Sequence, residues 1–408
     1  MELRPIISTL RRHKITAWLL TLEIALTCAI VCNAVFLISQ RLHRMDMPGG
    51  VAEHELVQVQ VAAIGAQPDA KGRSLEDLAA LRRIPGVKSV ALVNQLPFTG
   101  SSSNSSIELS PTQTQPTLNA TLYEGMDVLQ TFGTRLVAGR YLRPDEYVWR
   151  EDIRRDPSLL SRAPGVVITR ALGERLWPGE SALGKTIYLG NEIGVRVVGV
   201  VESLIRPSLS RGDNTAQWSI VVPLRDTAGS GASYVLRSAS DDRQRVIKAA
   251  VAVLRKLDPK RVITEQRTLD DARADFFQGD RAMTGLLFGV IVALLLVTAL
   301  GIVGLASFWV AQRRRMIGVR RALGATRGNI LHYFQTENFL LATLGIALGM
   351  VLAYAINLFL MLHYELPRLP GIYFPVGAIA LWLIGQLAVL GPALRAAAVP
   401  PVVATRSV

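Results

Sequence analysis

The sequence predicts an α-helical membrane protein with four transmembrane helices and a large, two-lobed α+β domain between the first and second. Three observations lead there. Of 408 residues, 50% are hydrophobic and 19% charged, whereas a soluble chain carries about 45–50% apolar and roughly 25% charged residues. Four stretches, 15–38, 282–312, 338–361 and 372–394, are almost free of acid and base. Each exceeds the ~20 apolar residues that a helix needs to cross a bilayer core. Between the first two stretches the pattern alternates between strand and helix periods.

The net charge of +13 is unevenly placed. Residues 40–281 hold 32 basic and 28 acidic residues, a net of only +4. The rest sits at span ends: Arg4, Arg11, Arg12 and Lys14 before the first, Arg313 to Arg327 between the second and third, and Arg395 and Arg406 after the fourth. Basic flanks mark the cytoplasmic side. Both termini and the Arg-rich loop are therefore expected inside, and the large domain outside. The apolar excess argues against disorder and against a simple nucleic-acid binder.

Residues 1–14 read as an amphipathic helix on the inner leaflet, with Leu3, Ile6, Ile7 and Leu10 on one face and membrane lipid as its partner. The first span, 15–38, is too long for a signal-peptide core of ~7–15 residues. It holds Glu23, a costly intramembrane carboxyl and hence a functional candidate, expected to be protonated, to bond a polar neighbour such as Asn357 or Gln386, or to face a polar cavity. It also holds both cysteines, Cys28 and Cys32, so the outer domain must fold without disulfides, and no Cys/His metal site is expected.

The domain, 39–268, opens on Val57, Val59 and Val61 alternating with Gln58 and Gln60, a half-buried strand. Ser74 and Asp77 suit a capping box opening a helix, which Pro85-Gly86 stops before a strand at 87–93. Near the far end, a strand at 234–237, a helix at 243–256 and a strand at 261–264 form a second strand–helix–strand unit. The two units are expected to share one ferredoxin-like sheet. The Ser/Thr-rich stretch 99–117 reads as a solvated loop, and about 120–228 as a second lobe. Residues 269–312 lack proline and read as one helix, a stalk continuing into the second span. A cytoplasmic segment (313–330), a third span (331–361), a fourth (372–394) and a tail (395–408) follow.

The stretch Gly179 to Thr186 matches the G-x-x-x-x-G-K-[ST] phosphate loop, with Lys185 in the lysine position. Its context rejects it: a helix precedes and a strand follows, the reverse of what phosphate binding needs. No nucleophile–base pattern appears, so the chain is not expected to be catalytic. Gly345 and Gly349 form a small-xxx-small pair that permits close helix packing. In the 313–327 segment, Gly324 suits a helix C-cap and Thr326 the next N-cap, giving a short basic amphipathic helix.

At that segment the sequence resembles the FtsX-like permeases of ABC transporters, particularly the MacB-like ones. Arg313, Ile317, Gly318, Val319, Arg320, Arg321, Ala322, Leu323, Gly324, Ala325 and Thr326 match the family pattern, and Met316 replaces its usual Glu. Glu337 matches the family's Glu at the start of the third span, and Pro392-Ala393, Arg395-Ala396 and Pro400-Pro401 match its tail. In the outer domain, 132–140, 167–177 and 183–187 are similar to the MacB-like periplasmic core. The resemblance implies an inner-membrane efflux permease with a periplasmic domain that works by mechanotransmission. It would pair as a homo- or heterodimer and bind no cofactor, with ATP and Mg held by an ABC ATPase subunit. Only 14 residues precede the first span, so that ATPase is expected on another chain. Docking is assigned to Arg313, Arg314, Arg315, Ile317, Gly318, Arg320, Arg321, Leu323, Gly324, Ala325 and Arg327. Family members often work with a periplasmic adaptor and an outer-membrane channel. The resemblance leaves two related functions open: FtsX-like control of cell-wall hydrolases and lipoprotein release of the LolC/LolE type.

Overall fold

The computed structural model describes residues 14–62, 69–156, 158–161, 165–189, 193–209, 215–228, 233–364 and 368–398. The expected helix around Leu3 to Leu10 and the tail residues Pro400, Pro401 and Arg406 lie outside these. The chain forms two compact units: Met47–Gln278, and Met1–Asp46 together with Gly279–Val408.

Helix α1 (Lys14–Met45) comes first. The 47–278 unit begins with β1 (Leu56–Ala62), whose valines are buried. Gln58, expected to face solvent, is buried too, because its amide donates to Ser233 Oγ at 3.0 Å and its carbonyl accepts from Arg267 Nε at 3.3 Å. Helix α2 (Ala70–Arg82) opens before Ser74, not at it. Its N-cap is Asp69, at φ 59°, whose carboxylate accepts from Gly72 N at 3.0 Å. No capping box forms at Ser74 because Ser74 and Asp77 both lie inside the helix and face the core. Ser74 Oγ donates to Ala70 O at 2.7 Å. Asp77 accepts from the Tyr234 hydroxyl and from Arg261 at 2.8 Å. Gly86, at φ +85°, makes the turn into β2 (Val87–Val93).

The stretch 99–117 is not all loop. It contains β3 (Asn104–Glu108), paired antiparallel with β4 (Leu118–Glu124) in the register Ser105↔Ala120. Backbone pairing and the burial of Ile107 decide its conformation, although its serines are poor strand formers. There follow α3 (Val128–Phe132), β5 (Leu136–Gly139), β6 (Val148–Trp149), α4 (Arg150–Arg155), α5 (Ser158–Ser161), β7 (Val166–Thr169), α6 (Arg170–Leu176), β8 (Thr186–Leu189) and β9 (Ile193–Val201). Then come β10 (Ser219–Val222), β11 (Leu224–Arg225), β12 (Ser233–Ser238), α7 (Arg243–Leu257), β13 (Val262–Thr268) and α8 (Leu269–Phe276).

Two main sheets result. The first has the order β13-β1-β12-β2, all antiparallel, so the two strand–helix–strand units do interleave in one sheet. Leu78 and Leu81 of α2 and Val246, Ala250 and Leu254 of α7 share its core. The second has the order β5-β9-β7-β10-β4-β3-β8, with β8 returning to pair with β9. The first half of β9 pairs with β8 and the second half with β7, so the pairing closes on itself around Ile107, Ile168, Ile187 and Ile220. Within it, the Gly179–Thr186 stretch runs from α6 to β8 as a turn. Gly179 and Gly184 take positive φ, and Lys185 Nζ pairs with Glu180 at 2.7 Å.

Residues 269–312 are two helices, contrary to the single stalk expected. Helix α8 ends at Phe276, and α9 (Gln278–Gln312) starts beyond Phe277, which sits at φ −94°, ψ 9°. Phe277 is 1% exposed, with its ring 5.9 Å from Phe98 and 4.9 Å from Phe276. Seating that ring ends α8 without any glycine or proline.

The other unit adds α10 (Arg314–Ala322), α11 (Arg327–Tyr364) and α12 (Tyr373–Ala397). Helices α1, α9, α11 and α12 are each long and apolar enough to cross a membrane. Leu20, Ile24, Cys28 and Cys32 of α1 pack with Ile302, Trp309, Leu341, Ile346 and Leu381. The outward faces stay apolar, as lipid contact requires: Leu300 is 70% and Val351 71% exposed.

Candidate functional site

Helix α10 and its flanks carry the residues singled out for docking. Arg313 is the N-cap of α10, and its backbone N–H still donates to Trp309 O at 3.0 Å. One face is anchored. Ile317 and Gly318 are buried, and Ile317 packs with Val310, Ile330, Phe334 and Ala393. Leu323, Gly324 and Ala325 close the helix through Leu323 N to Val319 O, Gly324 N to Arg321 O and Ala325 N to Arg320 O, with Gly324 at φ +98°. Thr326 Oγ1 then accepts from Asn329 N at 3.2 Å, as an N-cap of α11 should. The other face is open. Arg314, Arg315, Met316, Val319 and Arg327 are exposed, and Leu323 is 83% exposed. Arg320 is half-buried, with its guanidinium 5.0 Å from the Tyr333 ring, and Arg321 is half-buried too.

The anchored face ends in a buried ion pair that the sequence reading missed. Arg313 Nη1 donates to both oxygens of Glu337, at 3.0 and 2.8 Å. The Arg313 guanidinium also lies 5.4 Å from the Trp309 ring. The partners stand in separate motifs, and only the family position of Glu337 drew attention to it.

Glu23 is half-buried in α1, and its carboxylate faces Gly301 of α9, where an added Cβ would lie 2.7 Å from both oxygens. The expected partners do not reach it. Asn357 Oδ1 accepts from Leu369 N at 2.9 Å, and Gln386 Nε2 donates to Gln335 O at 3.4 Å. Gly345 and Gly349 of α11 lie against α1. A Cβ on Gly345 would sit 2.8 Å from Ile24, and one on Gly349 2.7 Å from Ala25 O.

In the 47–278 unit, an open cleft of about 660 Å³ is lined by Glu53, Glu55, Glu202, Arg135, Arg237 and Arg273. Its charges satisfy one another: Arg273 with Glu53 and Arg237 with Glu55 at 2.6 Å each, and Arg135 with Glu202 at 3.3 Å. Hydrogen bonds from Lys88 and Arg237 hold the Glu55 carboxyl below its ordinary range. Burial pushes Glu124 up, against the pull of Arg150. Among the described residues, no cluster of His, Cys, Asp or Glu is gathered to hold a metal.

The chain matches the MacB-like periplasmic core domain over residues 19–257 and the FtsX-like permease C-terminal domain over 288–401. It is 24% identical over 410 residues to the macrolide export ATP-binding/permease protein MacB of Pasteurella multocida, covering 96% of this chain and 58% of that protein. It is 29% identical over 260 residues to the pyoverdine export ATP-binding/permease protein PvdT of Pseudomonas putida, covering 60% of this chain and 38% of that one. The chain thus spans less than two thirds of the length of either relative. The crystal structure of the periplasmic region of MacB from Actinobacillus actinomycetemcomitans aligns over 55% of this chain and 94% of that one, at 15% identity and a TM-score of 0.34. The periplasmic-core match alone takes in more than half of the chain, and the chain belongs to the MacB-like family of ABC transporter permeases.

Proposed function

We propose that the chain is the permease subunit of a MacB-like ABC exporter. An ABC ATPase, with its ATP and Mg, docks on the open face of α10 from the cytoplasm. Its closure on ATP moves α10, and the motion passes along the spans to the periplasmic domain, which expels substrate. Two permease halves, identical or different, form the working unit in the bacterial inner membrane, with both termini cytoplasmic. A periplasmic adaptor and an outer-membrane channel would receive the substrate. The relatives named for export carry ATP-binding and permease parts in one protein.

One observation carries this reading. Helix α10 is anchored on one face by Ile317 and the Arg313–Glu337 pair, while Arg314, Arg315, Val319 and Leu323 are exposed on the other. A segment fixed to the bundle and open to solvent suits a partner that pushes. The basic flanks support its cytoplasmic side. The test is affinity purification of the full chain in mild detergent, with assay of co-eluting ATPase. Leu323→Asp with Arg315→Glu should abolish co-elution while the permease stays folded. Retained ATPase binding and export in that variant would overturn the docking role. Robust ATP hydrolysis by the purified chain alone, dependent on Lys185, would overturn the whole reading.

A further inference from the structure

Helices α1 and α9 meet in one antiparallel register. Glu23 lies against Gly301, Thr27 Oγ1 bonds Thr298 Oγ1 at 2.8 Å, Val31 and Ala34 pack with Ile291, and Arg41 and Arg44 meet Asp280. As the α1 number climbs from 23 to 41, the α9 number falls in step from 301 to 280. At helical rise this contact line is about 30 Å long.

Its last contact differs in kind from the rest. The Asp280 side chain is 9% exposed, and each of its oxygens faces a separate guanidinium: Arg41 Nη1 on Oδ1, and Arg44 Nη1 on Oδ2 at 3.5 Å. Arg41 and Arg44 are one helical turn apart on α1, so both side chains project from the same face. Asp280 lies at the start of α9, short of the apolar stretch, and the two arginines lie past the apolar stretch of α1. Both chain connections to the 47–278 unit leave from this end, after Asp46 and before Gly279.

Apolar side chains give adjacent membrane helices little drive to associate, since lipid is as apolar as they are. Small contacts such as Thr27–Thr298 hold the middle of the line. At the outer end, the charged contact at Asp280 adds a directional hold to the packing of Val31, Ala34 and Ile291.

We infer that Asp280 is a positioning residue that clamps α1 to α9, so that the two connections to the periplasmic domain move as one lever. The inference rests on the reading that motion passes from α10 to that domain. With the clamp open, α9 would swing without carrying α1, and ATP would be spent without moving the domain.

The test uses the full chain with Cys28 and Cys32 changed to Ala. A cysteine pair introduced by Ile38→Cys and Leu287→Cys, flanking the same apolar cluster, reports separation of the outer ends through its disulfide cross-linking rate in membranes. Asp280→Asn should slow cross-linking at least fivefold, and the swap of Asp280→Arg with Arg41→Asp should restore it. In a second arm, a fluorophore attached after Leu183→Cys, on the exposed side of the domain, follows ATP-dependent change in the complex with its ATPase. Asp280→Asn should leave ATP turnover within twofold and reduce the fluorescence change at least fivefold. Unchanged cross-linking in Asp280→Asn overturns the clamp. Slowed cross-linking with an intact fluorescence change overturns its role in transmission. Failure of the underlying reading shows separately, as no ATPase co-eluting, and the cross-linking arm then still decides whether the clamp exists.

Discussion

The Arg313 guanidinium meets both carboxylate oxygens of Glu337 where the two side chains are 7% and 1% exposed. This joins the start of α10 to α11 across a full helical hairpin. A charge pair so enclosed is costly to form and costlier to break, because removing one partner strands the other.

Arg313→Ala or Glu337→Ala should therefore destabilise the membrane unit by about 3–5 kcal/mol. The apolar pair Arg313→Met with Glu337→Leu should recover most of that loss, since both charges leave together. Thermal unfolding of the detergent-solubilised chain measures this. A double variant as unstable as either single one would show that the pair is not a closed unit.

Gly349 and Gly345 set the approach of α11 to α1. Gly349→Val must displace both Cys28 and the Ala25 carbonyl, and overpacking of this kind costs about 1–3 kcal/mol. Gly304→Ala in α9 is the control. Nothing lies within 4 Å of its Cβ position, so it should be neutral or gain up to about 1 kcal/mol in helix propensity. Folded yield in mild detergent should separate the two.

Lys185 belongs to a surface turn. Lys185→Ala removes one solvent-screened surface pair with Glu180, so folding stability should hardly change. ATP hydrolysis by the complete complex should be unchanged in this variant. A loss comparable to that of a phosphate-loop lysine would contradict the assignment.

Glu55 and Glu124 should give opposite pH signatures. The Glu55 carboxyl is depressed by Lys88 and Arg237. Its ionised form is favoured by folding, so its stabilisation is complete above the ordinary carboxylate range and is lost as pH falls through the depressed value. Glu124 is raised by burial. Folding favours its neutral form, so its contribution is unfavourable at neutral pH, fades as pH falls through the raised value and is gone below the ordinary carboxylate range. Glu55→Gln should lower thermal stability at pH 7 with the difference vanishing in acid. Glu124→Gln should not lower stability at pH 7. Melting curves of both variants, taken from pH 7 down to well below the ordinary carboxylate range, provide the check.

Much of the architecture was legible because its signals are local. The four spans announce themselves through charge-free runs, and β1 and α7 through periodicity. What escaped was set by tertiary contact. Phe277 ends a helix because its ring is seated with Phe98, distant in sequence. Asp69 caps α2 from a left-handed backbone that few non-glycine residues adopt, so Ser74 looked the better start. Serines 105 and 106 carry no strand preference, yet the partner β4 imposes one. At the site, the close of α10 at Gly324 and the N-cap of α11 at Thr326 could be read from single residues. The Arg313–Glu337 pair could not, because nothing in sequence links a residue before α10 to one well inside α11.

The self-closing course of β9 has a consequence for life in a crowded compartment. An open sheet ends in a row of unsatisfied amides and carbonyls that invites a neighbouring copy to add its own strand. Here the first half of β9 receives β8 and the second half β7, and the strand left at the margin, β5, is four residues long. A lobe so sealed gives adjacent copies little to template on. It does this with no cross-link, since both thiols of the chain are sequestered in α1. Its protection against aggregation is therefore topological, and should be indifferent to the oxidising or reducing state of its surroundings.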